Sequence, residues 1–562
     1  MSSEDVPKGI ELLKGESGNS SPVGGRFNSP AAASGVAEKP RSIIDEFDRA
    51  QEQDGSEWQK MGMMSISRRA SATMEQLSYK YRAVIDDPDF LKVIWLSSTL
   101  FFVVGGYWLL RSLKDPIISV IDGVEAIPMA KIYSLVAVFV LVMIYNKMLD
   151  VMPKHQLFYA MGIVYGVLFT IMGFMLMHPT IGLPNTKACP SRWLGWISYV
   201  TIESFGSMVV QCYWALVNAS VDVNFAQKNF GYIIAGAQIG SILGPTIATQ
   251  ADTLGIPFLY LCGAATMFCM VIAMYYYVAR FGGSEIEDGK NDGSEQANPV
   301  KARTKTEKTE GGTLEGFYLL YRHDFVKGIF FISSLFMVNV TVIDYMMKVL
   351  AQERYRQIYP DDPQAALRAF ASFMGYFGQT TNSISFLFSL FGTGAVIKRF
   401  GLSATLLAFP TLLGVCSTLV WLSPTIWVVF SVMMVIKGMS YALNNPTKEI
   451  LYQATSTSVK FKCKSWIDTF GQRSAKALGS VITNACASDI VDLNNYGYAV
   501  GTVMSAALLW ISKEMGAAFE RLQQEGRKVG EDDDSESAKP DATVEGYAPV
   551  AEETTTIKQG VV

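Results

Sequence analysis

The chain has 562 residues, of which 50% are hydrophobic and only 17% charged, with a formal net charge of −4 at pH 7. A soluble domain carries about 25% charged residues, so the deficit excludes a disordered protein, and the length exceeds one compact domain. Nothing in the charge balance marks a nucleic-acid partner.

Apolar residues are clumped, and the clumps have the length that crosses a bilayer, about 20 residues each. Residues 1–90 form a polar N-terminal tail that opens "MSSEDVPKGIELLKGES". That opening is acidic and lacks the apolar core of a secretory signal. Candidate spans follow at 91–112, 129–148, 157–177, 193–219, 230–249 and 256–279. A Glu-, Lys-, Gly-, Ser- and Thr-rich segment over 281–324 reads as a flexible hydrophilic linker. Six more spans fall at 325–350, 371–396, 402–422, 424–444, 466–488 and 496–512, before a polar C-terminal tail over 513–562. Halves at 91–280 and 325–512 carry matching basic loops. "MPKHQLFY" (152–159) pairs with "IKRFGL" (397–402), and "QKNFGY" (227–232) with "KFKCKSW" (460–466). The expectation is an all-α polytopic membrane protein, about twelve transmembrane helices in a 6+6, major-facilitator-like arrangement.

Orientation follows Lys and Arg in the short loops. Lys147, Lys154, Lys228, Lys398, Arg399, Lys460, Lys462 and Lys464 fall on one side, and both termini read as cytoplasmic. The other side holds fewer, chiefly Lys131, Lys187, Arg192, Arg354, Arg356 and Arg368. The seven Cys show no paired or metal-ligand spacing, and the three His sit at segment edges, so no metal site is expected.

An ionisable side chain at membrane depth costs about 3 kcal/mol on insertion scales, and persists where it meets water or a partner. In the first span Tyr107, Arg111 and Lys114 share one helical face. Snorkelling at the helix end is the plain alternative. The fourth span buries Glu203 in sequence, with Ser207, Gln211, Trp214 and Asn218 continuing a polar stripe; interhelical hydrogen bonding would also account for it. The seventh carries Asp344 and Lys348 at i, i+4, close enough to neutralise each other. The tenth has Lys437 with Tyr441 one turn on. In the eleventh, Asp468, Gln472, Lys476 and Ser480 recur every four residues, and Arg473 adds another cation. Such a helix belongs beside a wet cavity, not lipid.

Cations outnumber carboxylates among these positions, and fixed positive charge at low dielectric favours a multiply anionic ligand. Phosphates suit Arg forks and Lys point charges, and Tyr107, Trp214 and Tyr441 are candidates to stack on a base. The chemistry points to a nucleotide, with a sugar phosphate or dicarboxylate left open. No phosphate-binding G-x-x-x-x-G-K-[ST] loop and no H-E-x-x-H motif is present, so an enzyme is not expected.

Several segments taken in order carry a family resemblance. "RSLKDPIISV" (111–120), "GVEAIPMAKIYS" (123–134), "KMLDVMPKHQLFY" (147–159), "IESFGSMVVQCYWALVN" (202–218), "KGMSYALNNPTKEILY" (437–452) and "VKFKCKSWIDTFGQRSAKALGS" (459–480) resemble the nonmitochondrial, plastid and bacterial-type ATP/ADP carriers. The likeness spans roughly 90–512. It implies about twelve spans and exchange of ATP for ADP, with proton-coupled import of nucleoside triphosphates or another organic phosphate as the alternative. It implies a monomeric transport unit in a plastid or other organelle envelope, or in the plasma membrane of an intracellular bacterium, with nucleotide as substrate and no cofactor. The family's charge-critical lysine matches Lys114, its fourth-span glutamate Glu203, its seventh-span glutamate Asp344, and its lysine cluster Lys460, Lys462 and Lys464. Met347 stands where the family has Trp, and Asn445-Pro446 where it has Asp-Pro. Phosphate contacts are expected from Arg111, Lys114, Lys348, Lys437, Lys460, Lys462, Lys464, Arg473 and Lys476. Charge pairing or coupling is expected from Glu203, Asp344 and Asp468.

Overall fold

A computed structural model describes residues 87–282 and 315–530, apart from 392, 457–458, 460–462, 465–466 and 487–489. The tails at 1–86 and 531–562 and most of the expected linker lie outside the described residues.

The first six long helices are α1 (Pro88–Ile121), α2 (Ala126–Val151), α3 (Lys154–Leu176), α4 (Trp193–Ser220), α5 (Val223–Ala248) and α6 (Ile256–Phe281). They are followed by α7 (Asp324–Ile358, interrupted at Leu335), α8 (Pro363–Phe391), α9 (Thr393–Leu422) and α10 (Ile426–Ala454, with a π turn at Ser440–Asn444). The last two are α11 (Gln472–Ala485, preceded by a π turn at Ile467–Gly471) and α12 (Ile490–Glu525). Among the described residues the only β pairing is an isolated bridge between Thr455 and Val529.

Local chemistry sets the boundaries. Asp87 caps α1 by accepting from the Asp89 N–H at 3.0 Å, with Pro88 in the first turn where its missing N–H costs nothing. Asp222 caps α5 by accepting from the Phe225 N–H at 3.3 Å. Within α9 the chain turns at Gly401, whose φ of 78° is open to glycine and strained for other residues, and this turn falls in the expected basic loop.

Nine helices of the described chain are long and apolar enough to cross a membrane. Of the twelve expected spans, α8, α11 and α12 fall outside that set. α11 carries Gln472, Arg473 and Lys476, the polar face that the sequence places beside a wet cavity, and on α8 Asn382 donates to the Ser241 carbonyl of α5 at 2.6 Å. Outward-facing apolar side chains are what a lipid surface requires: Val136, Phe139, Val140 and Met143 on α2, and Ile163, Val167, Ile171 and Phe174 on α3, are exposed. Between α1 and α5 the backbones touch, since a Cβ on Gly240 would lie 2.6 Å from the Phe101 carbonyl oxygen.

Two differences from the sequence reading concern the segments between and after the spans. Part of the expected linker is helical, at Glu315–Arg322, because Leu319 and Leu320 bury their side chains beside Phe325 and Val326. The expected polar tail from 513 onward begins as helix, since α12 runs to Glu525 with Met515 and Phe519 buried one turn apart. Met515 fills the place where a side chain at Gly328 of α7 would stand.

Two large buried clusters organise the interior. One joins α1, α3, α4 and α6 through Leu109, Phe169, Phe205 and Tyr260. The other joins α7, α8, α9 and α10 through Ile343, Phe373, Phe409 and Met433, and reaches Ile118, Ile127 and Tyr199 of the first six helices.

Candidate functional site

A cavity of about 1310 Å³, counting its mouth, lies where α1, α2 and α4 face α7, α8, α10 and α11. Its lining holds seven cations (Arg111, Lys114, Lys131, Lys348, Lys437, Arg473, Lys476) and three carboxylates (Asp115, Glu203, Asp344), an excess of four positive charges when all are ionised.

Helical spacing builds the lattice. On α1, Arg111 and Lys114 both reach Glu203 of α4, at 3.8 and 3.1 Å. Lys114 also lies 3.5 Å from Asp115 and 3.7 Å from the ring centroid of Tyr199, which sits one turn before Glu203. Asp115 then reaches across to Lys348 of α7 at 3.0 Å, with both side chains 3% exposed. Lys348 bonds Asp344 one turn back at 2.6 Å. Asp344 accepts further bonds from Lys131 of α2 at 3.2 Å and Lys437 of α10 at 3.1 Å. Acid and base therefore alternate from Arg111 to Lys437. Burying the ions of this lattice is tolerable because each of them has a partner; removing one partner from a buried pair costs about 3–5 kcal/mol.

Aromatic groups fill the remaining wall. Arg111 donates to the Tyr107 hydroxyl at 2.6 Å and lies 5.3 Å from the Trp108 ring centroid, while Lys437 lies 5.0 Å from that of Phe377. Tyr441 lines the cavity and is 41% exposed, enough to meet a ligand face. On α11, Arg473 donates to the Ser207 hydroxyl of α4. Both Arg473 and Lys476 line the cavity, and among the described residues neither forms an ion pair with a carboxylate.

The cavity gathers Arg111, Lys114, Lys348, Lys437, Arg473, Lys476, Glu203, Asp344 and Tyr441 of the expected residues. Tyr107 stands behind Arg111, its ring occupying the space beside Gly206. Trp214 lies elsewhere, packed edge-on against Tyr213 and Phe230, with centroids 5.3 Å away in each case. Lys464 pairs with Glu449 at 2.6 Å, away from the cavity lining. Lys460, Lys462 and the Asp468 side chain lie outside the described residues. No metal-binding cluster of His, Cys, Asp or Glu occurs among the described residues.

A family model described as TLC ATP/ADP transporter matches residues 72–426. The chain belongs to the TLC ATP/ADP transporter family. It is 24% identical over 446 residues to ADP,ATP carrier protein 1 of Chlamydia muridarum, covering 70% of this chain and 81% of the relative. Against ADP,ATP carrier protein 2, chloroplastic, of Arabidopsis thaliana, it is 22% identical over 528 residues, covering 83% and 81%. Among solved structures, a bacterial homologue of the iron transporter ferroportin in an inward-facing state superposes with a TM-score of 0.55 at 12% identity, over 76% of this chain and 98% of that one. The peptide transporter POT in complex with sulfate gives 0.51 at 14% identity, over 77% and 94%. These likenesses establish the fold: the family member is an all-α, multi-pass membrane transporter of major-facilitator-like architecture.

Sequence reading left Asp115, Lys131, Tyr199, Trp108, Phe377 and Asn445 out of the site, yet all line the cavity. Lys131 reads as a loop cation in sequence because it stands at the edge of its apolar run; the helix begins at Ala126, and Lys131 lines the cavity. Tyr199 had a usable signal, since it precedes Glu203 by four residues on one helix.

Proposed function

We propose that this transporter exchanges ATP for ADP across its membrane by alternating access around the charged cavity. The observation that carries the reading is the excess of four positive charges lining one cavity in a member of an ATP/ADP transporter family. A nucleoside triphosphate brings roughly four negative charges near neutral pH, enough to balance that excess. Arg111 and Lys114, with Lys348, Lys437, Arg473 and Lys476, would take the phosphates, and Tyr441 would offer a face to the base. Glu203 and Asp344 would hold the cations in register until phosphate oxygens replace their carboxylates. An empty cavity with uncompensated charge resists moving through low dielectric, at several kcal/mol per ion. Bound nucleotide removes that penalty, which makes the loaded carrier the one that reorients.

Lys147, Lys154, Lys228 and Lys398 lie in or beside loops on one side, so the termini are assigned to the cytoplasmic side. Relatives named as chloroplastic or from Chlamydia fit a plastid or other organelle envelope, or the membrane of an intracellular bacterium. The transport unit is taken as one chain of two six-helix halves, 91–280 and 325–512.

The test is uptake of labelled ATP by proteoliposomes containing the purified protein. Vesicles loaded with ADP should accumulate label, and unlabelled sugar phosphate or dicarboxylate should not compete. Equal uptake by unloaded vesicles, or competition by sugar phosphate as strong as by ATP, would refute exchange of adenine nucleotides.

A further inference from the structure

Several contacts between the first six helices and the last six lie at the end where α1 meets the 122–125 loop. The Gln352 side chain of α7 donates to the Ser119 carbonyl at 3.4 Å, and the Gln364 side chain of α8 donates to the Leu183 carbonyl at 2.5 Å. Arg368 reaches Asp252 at 3.5 Å. One turn deeper, on the same two helices as the Gln352–Ser119 contact, stands the Asp115–Lys348 pair, and beside it the Lys131–Asp344 pair. These are the cross-half links of the charge lattice. The Glu203 pairs, by contrast, stay within the first six helices.

Beyond this seam lies a second cavity, of about 850 Å³, lined by Ser119, Gln352, Arg356, Tyr359 and Phe370. Its floor residues Ser119 and Gln352 each lie one helical turn from Asp115 and Lys348, which line the main cavity. The barrier between the two cavities is thus two layers deep: a buried ion-pair layer and a hydrogen-bond layer.

We propose that Asp115 is a positioning residue, that its pair with Lys348 and the Lys131–Asp344 pair latch the two halves together, and that nucleotide phosphate opens the latch by taking Lys348 and Lys131 from their carboxylates. This rests on the ATP/ADP exchange reading and adds the device that makes exchange obligatory. In the empty carrier both cross-half pairs are intact and the barrier stays shut. With nucleotide bound, the phosphate oxygens occupy the lysine donors, the carboxylates lose their bonds across the seam, and the two cavities can exchange access. Asp115 touches no substrate in this scheme; it acts through Lys348.

The test compares wild type, Asp115→Asn, Asp115→Glu and Gln352→Ala in proteoliposomes, each with and without internal ADP. The readout is the ratio of ATP uptake by unloaded vesicles to uptake by loaded ones. The ratio should rise roughly 5- to 150-fold in Asp115→Asn, the usual range of a coupling energy. It should rise less in Gln352→Ala, which breaks only the neutral layer, and should return toward wild type in Asp115→Glu. A wild-type ratio in Asp115→Asn, or an Asp115→Asn protein that binds ATP by thermal shift yet transports in neither condition, overturns the latch. If Asp115→Asn does not fold, the ratio in Gln352→Ala decides, and a wild-type value there overturns it equally. Wild-type vesicles that show no exchange would instead defeat the functional reading, so the two failures are distinguishable.

Discussion

Glu203 and Asp344 sit at opposite ends of one lattice and differ in what they join. Glu203, 18% exposed, holds Arg111 and Lys114 within the first six helices. Asp344, 10% exposed, gathers Lys131, Lys348 and Lys437 from three helices on both sides of the seam. The first carboxylate orders a docking surface that water still reaches. The second neutralises three ammonium groups that would otherwise repel one another, so it is as much a structural element as a functional one.

Breaking the contrast at its buried end should have the largest effect. Asp344→Asn leaves three lysines without their shared anion and should destabilise the protein by about 3–5 kcal/mol, read as a fall in the unfolding midpoint in detergent. Replacing Lys437 with Met in the same chain should recover part of the loss. At the Glu203 end, Lys114→Gln leaves Glu203 with Arg111 and Asp115 with Lys348, so its midpoint should fall less than that of Asp344→Asn, while ATP uptake falls roughly 100-fold, since a buried charge contact to substrate is worth about 2–5 kcal/mol. A smaller effect is expected from Tyr441→Ala, which should raise the apparent KM for ATP about tenfold while Trp214→Phe leaves it unchanged; base–aromatic stacking contributes about 1–3 kcal/mol. The smallest belongs to Lys464→Gln. The Lys464–Glu449 pair is partly exposed and outside the cavity, and such pairs are worth about 0–1 kcal/mol, so uptake should stay within about twofold of wild type.

How much of this was legible in the sequence depended on how locally each feature was encoded. Helix faces were readable from spacing, so Arg111 with Lys114 and Asp344 with Lys348 emerged as neighbours. Partners brought together by packing were not. Lys131 meets Asp344 across a separation of 213 residues, and no periodicity links them. Trp214 shows the converse case. Its place in the stripe Ser207, Gln211, Trp214, Asn218 puts it on the face of Glu203, but Tyr213 and Phe230 seat the ring edge-on, a packing partner that spacing along one helix does not encode. Helix ends were misplaced for a related reason. Apolar runs report the membrane crossing, whereas α1 with 34 residues and α12 with 36 continue past it wherever packing or capping supports another turn.

The most direct measurement is equilibrium binding of ATP, ADP, AMP and adenosine to the purified protein at two salt concentrations. A cavity with surplus fixed cations should bind ATP and ADP tightly, AMP weakly and adenosine least, with the order compressed at high salt. Adenosine bound as tightly as ATP, independent of salt, would contradict a site built to hold polyphosphate.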